Sequence, residues 1–336
     1  MTKKYLAIAD QISLLKERGL VIEDEQVCAQ ALRSYGYYRL SGYWYQFRVR
    51  YEHEGKIVTL DEFIPNVSFE DVLAIYEFDR RLRFLVFEMI ELLEIAMRFK
   101  IGHILGETNP NAHADQNIFQ DNFIIRKRKS KFSLKKEPSQ HELLIRGINR
   151  ELKRSSEDFV AHHFEKHEGK FPVWAVTEIM SFGQLLKLIK GSKDRFQNEI
   201  AKSLGLTSKT GDGQGGALLD WLENLNEIRN ICAHHGRLWN RQLNKRLKLN
   251  HLRLTADTRH IYEIQKEQQS KNKHFDLSTS RIYGSLTILL YLNRRLELDS
   301  NWASKLSTHI QTLPPPANLF QMGFPAIWKD QPMWAD

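Results

Sequence analysis

Cysteine is nearly absent from this chain. Two in 336 residues, Cys28 and Cys232, cannot build a disulfide framework or a zinc cage between them, which points to a reduced, cytoplasmic protein. Long apolar runs are missing as well. No stretch reaches the roughly 18 residues that a membrane span needs, so no membrane partner is expected. The opening "MTKKYLAIADQISLLKERGL" has neither the apolar core nor the cleavage site of a secretory leader. Strand-like alternation is scarce, proline is sparse, with punctuation at "ETNPNA" and "TLPPPAN", and no internal repeat of useful length is visible.

Helical spacing of apolar residues fills the space left by these absences. It predicts helices over 5–19, 24–35, 68–82, 83–106, 139–155, 172–191, 193–204, 216–236, 256–268, 278–297 and 300–312. A short hairpin around Glu54-Gly55 fits within 43–60. The fold class is therefore mainly α. The expected organisation is a small N-terminal module (1–65), a helical body (66–312) and a C-terminal tail packing on it (313–336).

Lysine and arginine exceed acids, 49 to 41, for a net charge of +8. That permits nucleic-acid binding without diagnosing it. The excess is clustered. "RKRKSKFSLKK" (126–136) holds seven basic residues, beginning Arg126, Lys127, Arg128, and no acid. "NRQLNKRLKLNHLR" (240–253) holds five, Lys245 and Arg246 among them. Each run is either a solvated loop or a phosphate grip. "YGYYRLSGYWYQFR" (35–48) sets seven aromatics around Arg39 and Arg48, either as a base-stacking surface or as a packed aromatic mini-core. "GDGQGG" (211–216) matches the spacing of a dinucleotide fingerprint but lacks the preceding strand, so a flexible connector is expected. "HHFEKH" (162–167) spaces His163 and His167 as metal ligands sometimes are, without a third ligand, and reads better as surface histidines. No metal site and no cofactor is predicted.

The stretch "RNICAHHGRLWNR" (229–241) ends the helix predicted over 216–236. On a wheel of about 100° per residue, Leu218, Trp221, Leu222, Leu225, Ile228 and Cys232 form an apolar stripe, and Arg229 falls inside it. An inward guanidinium needs a carboxylate, a phosphate or water, unless it snorkels at the stripe's edge. Asn226, Asn230 and His234 share another face. Arg229 and His234 diverge by about 140°, so either a last turn loosened before Gly236 at the C′ position or a second copy of the chain must bring them together. Within "FDRRLRFLVFEMIELLEIAMRFKIGHIL" (78–105), Glu88, Glu91, Glu94 and Arg98 make a narrow polar stripe. That stripe is either solvent-facing, or Glu91 or Glu94 meets Arg229 or a histidine.

With these motifs in place the chain resembles the Abi family of abortive-infection proteins, in its AbiD/AbiF-like group. The resemblance is carried by "YGYYRLSGYWYQFR", "FDRRLR…IELLEIAMR", "FPVWAVTEIMSFGQLLKL" (171–188), "WLENLNEIRNICAHHGRLWNR" (221–241) and "MGFPAIWKDQPMW" (322–334). It implies a HEPN-type helical bundle and a metal-independent endoribonuclease toxin of antiphage defence, marked by Arg-x4-His. Here that motif is Arg229 and His234, with Asn230 in the polar position after the arginine. His234 would take the proton of an RNA 2′-hydroxyl and Arg229 would clamp the scissile phosphate. Asn230 would hold His234 or the phosphate, and His235 is a second acid–base candidate. Glu91, Glu94 and Arg98 are supporting residues. Arg237, Trp239 and Arg241 either grip RNA or, for Trp239, cap the core. The resemblance further implies a homodimer and a regulatory noncoding RNA. A non-catalytic RNA-binding HEPN protein and a helical protein–protein module remain the alternatives.

Overall fold

The computed structural model describes residues 4–127, 136–271 and 279–334. Polar caps set some of its helix starts. After α1 (Ile8–Glu17), Asp24 accepts the backbone N–H groups of Gln26 and Val27 to open α2 (Glu25–Tyr35). Gly36, at φ 83°, ends α2 and opens α3 (Tyr37–Trp44). The aromatic segment is thus mostly helical and turns Tyr43, Trp44 and Phe47 into the core. The hairpin begins beyond it. Strands β1 (Arg48–His53) and β2 (Lys56–Phe63) pair antiparallel across Glu54 and Gly55, whose φ values of 50° and 73° make the turn that suits strand twist.

A 40-residue helix, α4 (Phe69–Thr108), then runs through the body. Two helices were expected here, but "DRRLRF" offers no glycine or proline to break the helix, and strong helix formers carry it through. Ser68 and Asp71 close a capping box at its start. The buried face includes Val72, Ile75, Leu82, Val86, Ile90, Leu93 and Met97. It then meets α8 (Val173–Ile179) so closely that a Cβ on Gly102 would stand 2.8 Å from the Trp174 Cα.

Beyond a single turn, α5 (Asp121–Ile124), come α6 (Gln140–Arg154), capped by a Ser139–Glu142 box, and α7 (Asp158–Lys166). The helix predicted over 172–191 is two. Met180 is extended, at ψ 137°, between α8 (Val173–Ile179) and α9 (Phe182–Gly191), and Ser181 with Gln184 caps the second. After α10 (Asp194–Ser203), the glycine run packs down rather than flexing, because a Cβ on Gly213 would overlap the Asn198 carbonyl oxygen. It feeds α11 (Gly215–Ala233). The remaining helices are α12 (Leu249–Leu252), α13 (Ala256–Lys271), α14 (Ile282–Leu296) and α15 (Trp302–Ile310).

Among the described residues, which hold fifteen α-helices, four short 3-10 helices and one two-stranded sheet, 63% are helical, so the fold is mainly α as the spacing predicts. Helix α4 touches α3, α8, α10, α11, α14 and α15. One continuous core reaches from Ile12 to Trp334. The tail closes it: Phe324, Trp328 and Trp334 form an aromatic box with ring centroids 5.1–5.4 Å apart, and the Trp334 indole donates to the Thr287 hydroxyl at 3.0 Å. Among the described residues no helix is long and apolar enough to cross a membrane.

Candidate active site

Helix α11 buries Leu218, Trp221, Leu222, Leu225, Ile228 and Cys232, the stripe that the wheel predicts. Arg229 lies at its edge, half-buried. Its Nε is 3.7 Å from Oε2 of Glu94 on α4, whose carboxylate is almost wholly buried. The other oxygen of Glu94 accepts from Arg98 Nη2 at 2.8 Å, and Arg98 Nε donates to the Met180 carbonyl at 3.1 Å. One carboxylate thus serves two guanidiniums. At 3.7 Å the Arg229 contact is ionic rather than a hydrogen bond, so its planar fork of donors remains available to an acceptor such as a phosphate. Glu91, the other predicted partner, is exposed.

The end of α11 differs from the sequence reading. The helix stops at Ala233, not 236, and its last turn stays wound. The His234 N–H still bonds the Asn230 carbonyl at 3.0 Å, so His234 keeps its helical bearing. The left-handed residue is His235, at φ 56°, and not Gly236. The His235 N–H returns to the Cys232 carbonyl at 3.0 Å and the Gly236 N–H to that of Ile231 at 2.7 Å, a Schellman ending. Gly236 is there for closeness, since a Cβ on it would stand 3.2 Å from both the oxygen and a methyl of Ile231. Asn230, His234 and His235 are all exposed.

A buried carboxylate that sequence reasoning missed holds the chain just past the motif. Asp79 on α4 is fully buried. It pairs with Arg83 one turn along, accepts the Tyr43 hydroxyl at 2.7 Å, and accepts the backbone N–H groups of Leu238 at 3.2 Å and Trp239 at 2.7 Å. The signal was an Asp and an Arg spaced i, i+4 on a face otherwise made of Ile75, Tyr76, Leu82 and Val86. The aromatic segment supplies the rest of the clamp. Arg39 donates to the His235 carbonyl at 2.7 Å, Arg237 to that of Gly42, and the Asn240 amide to Gln46. From the other side Arg281 donates to the Asn240 carbonyl at 2.8 Å.

This clamp changes the expected RNA-binding set. Trp239 is fully buried, its ring parallel to Tyr43 at 6.2 Å, so it caps the core and cannot stack on a base. Arg237 is spent on Gly42, and burial pulls its guanidinium below the usual arginine range. Arg241 is half-exposed and lies beside Gly236. The second basic run folds back along the acidic face of α11: the Lys245 N–H donates to Glu227 at 2.6 Å, its ammonium lies 3.5 Å from Glu223, and the Lys248 N–H donates to Asp220 at 2.9 Å. Arg246 is exposed. Arg126 binds Glu142 through both oxygens, holding that carboxyl down to about 2. Lys127 is exposed, and Arg128 lies outside the described residues.

Burial pushes the Cys232 thiol up to about 12, which leaves no thiolate for nucleophilic chemistry. The ring of His163 packs 4.9 Å from those of both His167 and Phe171. Among the described residues no three His, Cys, Asp or Glu side chains gather closely enough to hold a metal. A cavity of about 800 Å³ between Phe99, His103 and Trp174 contains none of the motif residues.

Residues 30–240 match the family model described as Abi-like protein. The chain belongs to that family. The match starts in α2 and stops at Asn240, just past the motif, so it leaves the tail, which the sequence resemblance includes, outside it. No curated protein and no solved structure matches. Membership points this Abi-like protein to abortive infection, the antiphage response, and is compatible with an enzyme.

Proposed function

We propose that this Abi-like protein is a metal-independent endoribonuclease, the toxin of an abortive-infection system, with a HEPN-type core around α4 and α11. The observation that carries the reading is Arg229: a permanent cation at the edge of an apolar stripe, steadied by Glu94 through charge alone, a little over one turn from an exposed histidine pair. That is the equipment for cleaving a phosphodiester by its own 2′-hydroxyl. His234 takes the hydroxyl proton, the oxygen attacks phosphorus, and Arg229 balances the charge on the non-bridging oxygens. The 5′-oxygen leaves with a proton from a second imidazole, His235 or a copy of His234. The products are a 2′,3′-cyclic phosphate and a 5′-hydroxyl, and DNA is resistant.

The wound last turn of α11 bears on assembly. With His234 on its helical bearing, about 140° from Arg229, a homodimer that sets the two motif copies face to face gives one phosphate both groups. We place a regulatory noncoding RNA as the partner that restrains the toxin.

The test is cleavage of total RNA by purified protein in chelator. Wild type is expected to cut, while Arg229→Ala and His234→Ala lose about 100- to 10,000-fold. Undiminished cutting by either variant overturns the assignment. Loss of wild-type activity on chelation moves the reaction to a metal nuclease, and RNA binding without cleavage leaves a non-catalytic RNA-binding protein.

A further inference from the structure

A second cavity, of about 430 Å³, opens beside the motif, with Ala233 and His235, the neighbours of His234, in its wall. Its volume is near the lower end of the roughly 300–1,000 Å³ usual for small-ligand clefts, enough for one nucleotide and too small for a duplex. Aromatic rings from Tyr35, Tyr76, Phe84 and Phe87 face it. Phe84 is 64% exposed although its helix, α4, runs through the body of the molecule. Its ring carries the Arg80 guanidinium at 5.6 Å. Arg39 and Arg83 complete the cationic side, and the residues lining the cavity include no carboxylate. Arg83 is neutralised by Asp79 and Arg80 is shared with Glu77, while among the described residues Arg39 donates to a backbone carbonyl and meets no carboxylate. Flat π-faces with guanidiniums along one side suit a planar, anionic ligand, which the bases and phosphates of single-stranded RNA supply together.

We infer that this cavity is a base-binding subsite that seats one unpaired nucleotide next to the scissile phosphate, its base against Phe84 and its phosphate toward Arg39 and Arg80. The inference rests on the reading of the α11 end as an RNA site and deepens it. The subsite, rather than the motif, then chooses where the strand is cut.

Four fluorescent homopolymeric octamers of A, C, G and U, 2′-fluoro at every ribose so that they cannot be cleaved, probe it by anisotropy. Wild type and His234→Ala are expected to bind alike and to prefer one base. Phe84→Ala should weaken the preferred octamer about 5- to 150-fold and level the four, and Arg80→Gln should weaken all four. Thermal melting of each variant separates these losses from unfolding, and Phe84→Leu, which keeps apolar bulk without the π-face, should show the same levelling. Equal binding by wild type, Phe84→Ala and Arg80→Gln overturns the subsite, as does a Phe84→Ala change confined to sedimentation, which marks a protein–protein surface. A wild type that shows Phe84-dependent octamer binding but cuts no RNA removes the ribonuclease and keeps the subsite. Cutting with unchanged site preference in Phe84→Ala removes the subsite and keeps the ribonuclease.

Discussion

Asp79 touches side chains from two segments and backbone from a third, and its removal has consequences for each. Asp79→Ala strands the buried Arg83 charge and two N–H groups, and should lower unfolding free energy by about 3–5 kcal/mol in urea titrations. Asp79→Leu combined with Arg83→Met should recover much of that, because the pair is then absent rather than broken. Glu94 acts on direction instead. Glu94→Gln is expected to slow single-turnover RNA cleavage by up to about 100-fold, through misplacement of Arg229, with Arg98 still held by Met180. A third residue sets a pH dependence. Burial holds His260 at about 4, against a usual value near 6.5. Between those values the unfolded chain binds the extra proton, so stability is complete above about pH 6.5 and falls as pH drops toward 4. Urea midpoints measured from pH 7.5 to 5 should show that decline, and His260→Gln should flatten it, leaving the part due to His113, held at about 4 for the same reason, and to His309, which burial also lowers. Among the site residues, Arg229 was legible because it broke an apolar stripe. Asp79 was not singled out, since its partners Tyr43 and Leu238 lie 36 and 159 residues away in the chain.

Helix ends decided where sequence reading succeeded and where it slipped. Capping boxes were written in the chain at Ser139–Glu142 and at Ser181–Gln184; the second, in "SFGQ", was the available signal that 172–191 holds two helices. No comparable mark separates 68–82 from 83–106, and α4 accordingly runs through. At the end of α11, glycine preference pointed to Gly236 for the left-handed position, but tight contact with Ile231 claims that glycine and leaves the strained conformation to His235. A β-carbon at φ 56° costs about 1 kcal/mol. His235→Gly should therefore raise the melting temperature, and His235→Asn should leave it close to wild type. A joint fall in cleavage by both would mark the imidazole as chemically used. At the α4–α8 crossing, Gly102→Val should lower stability by about 1–3 kcal/mol or more, because Trp174 and Thr177 already occupy the space; differential scanning calorimetry reads it directly.

At the scale of the molecule, the +8 charge is less concentrated than the basic runs imply, because Lys245 and Lys248 lie along the acids of α11 and Arg126 is bound to Glu142. What governs the site is more mechanical. Asp79 anchors the strand leaving the motif, and Glu94 steadies the arginine that begins it. Both sit on α4, about 22 Å apart along its axis. The helix is thus a ruler graduated in turns, and both ends of the motif are read against it. Substitutions leave the graduations in place, whereas one inserted residue between them rotates the two marks by about 100° relative to each other. A chain lengthened there by a single alanine would keep its helix content and its two anchors, and would hold them out of phase.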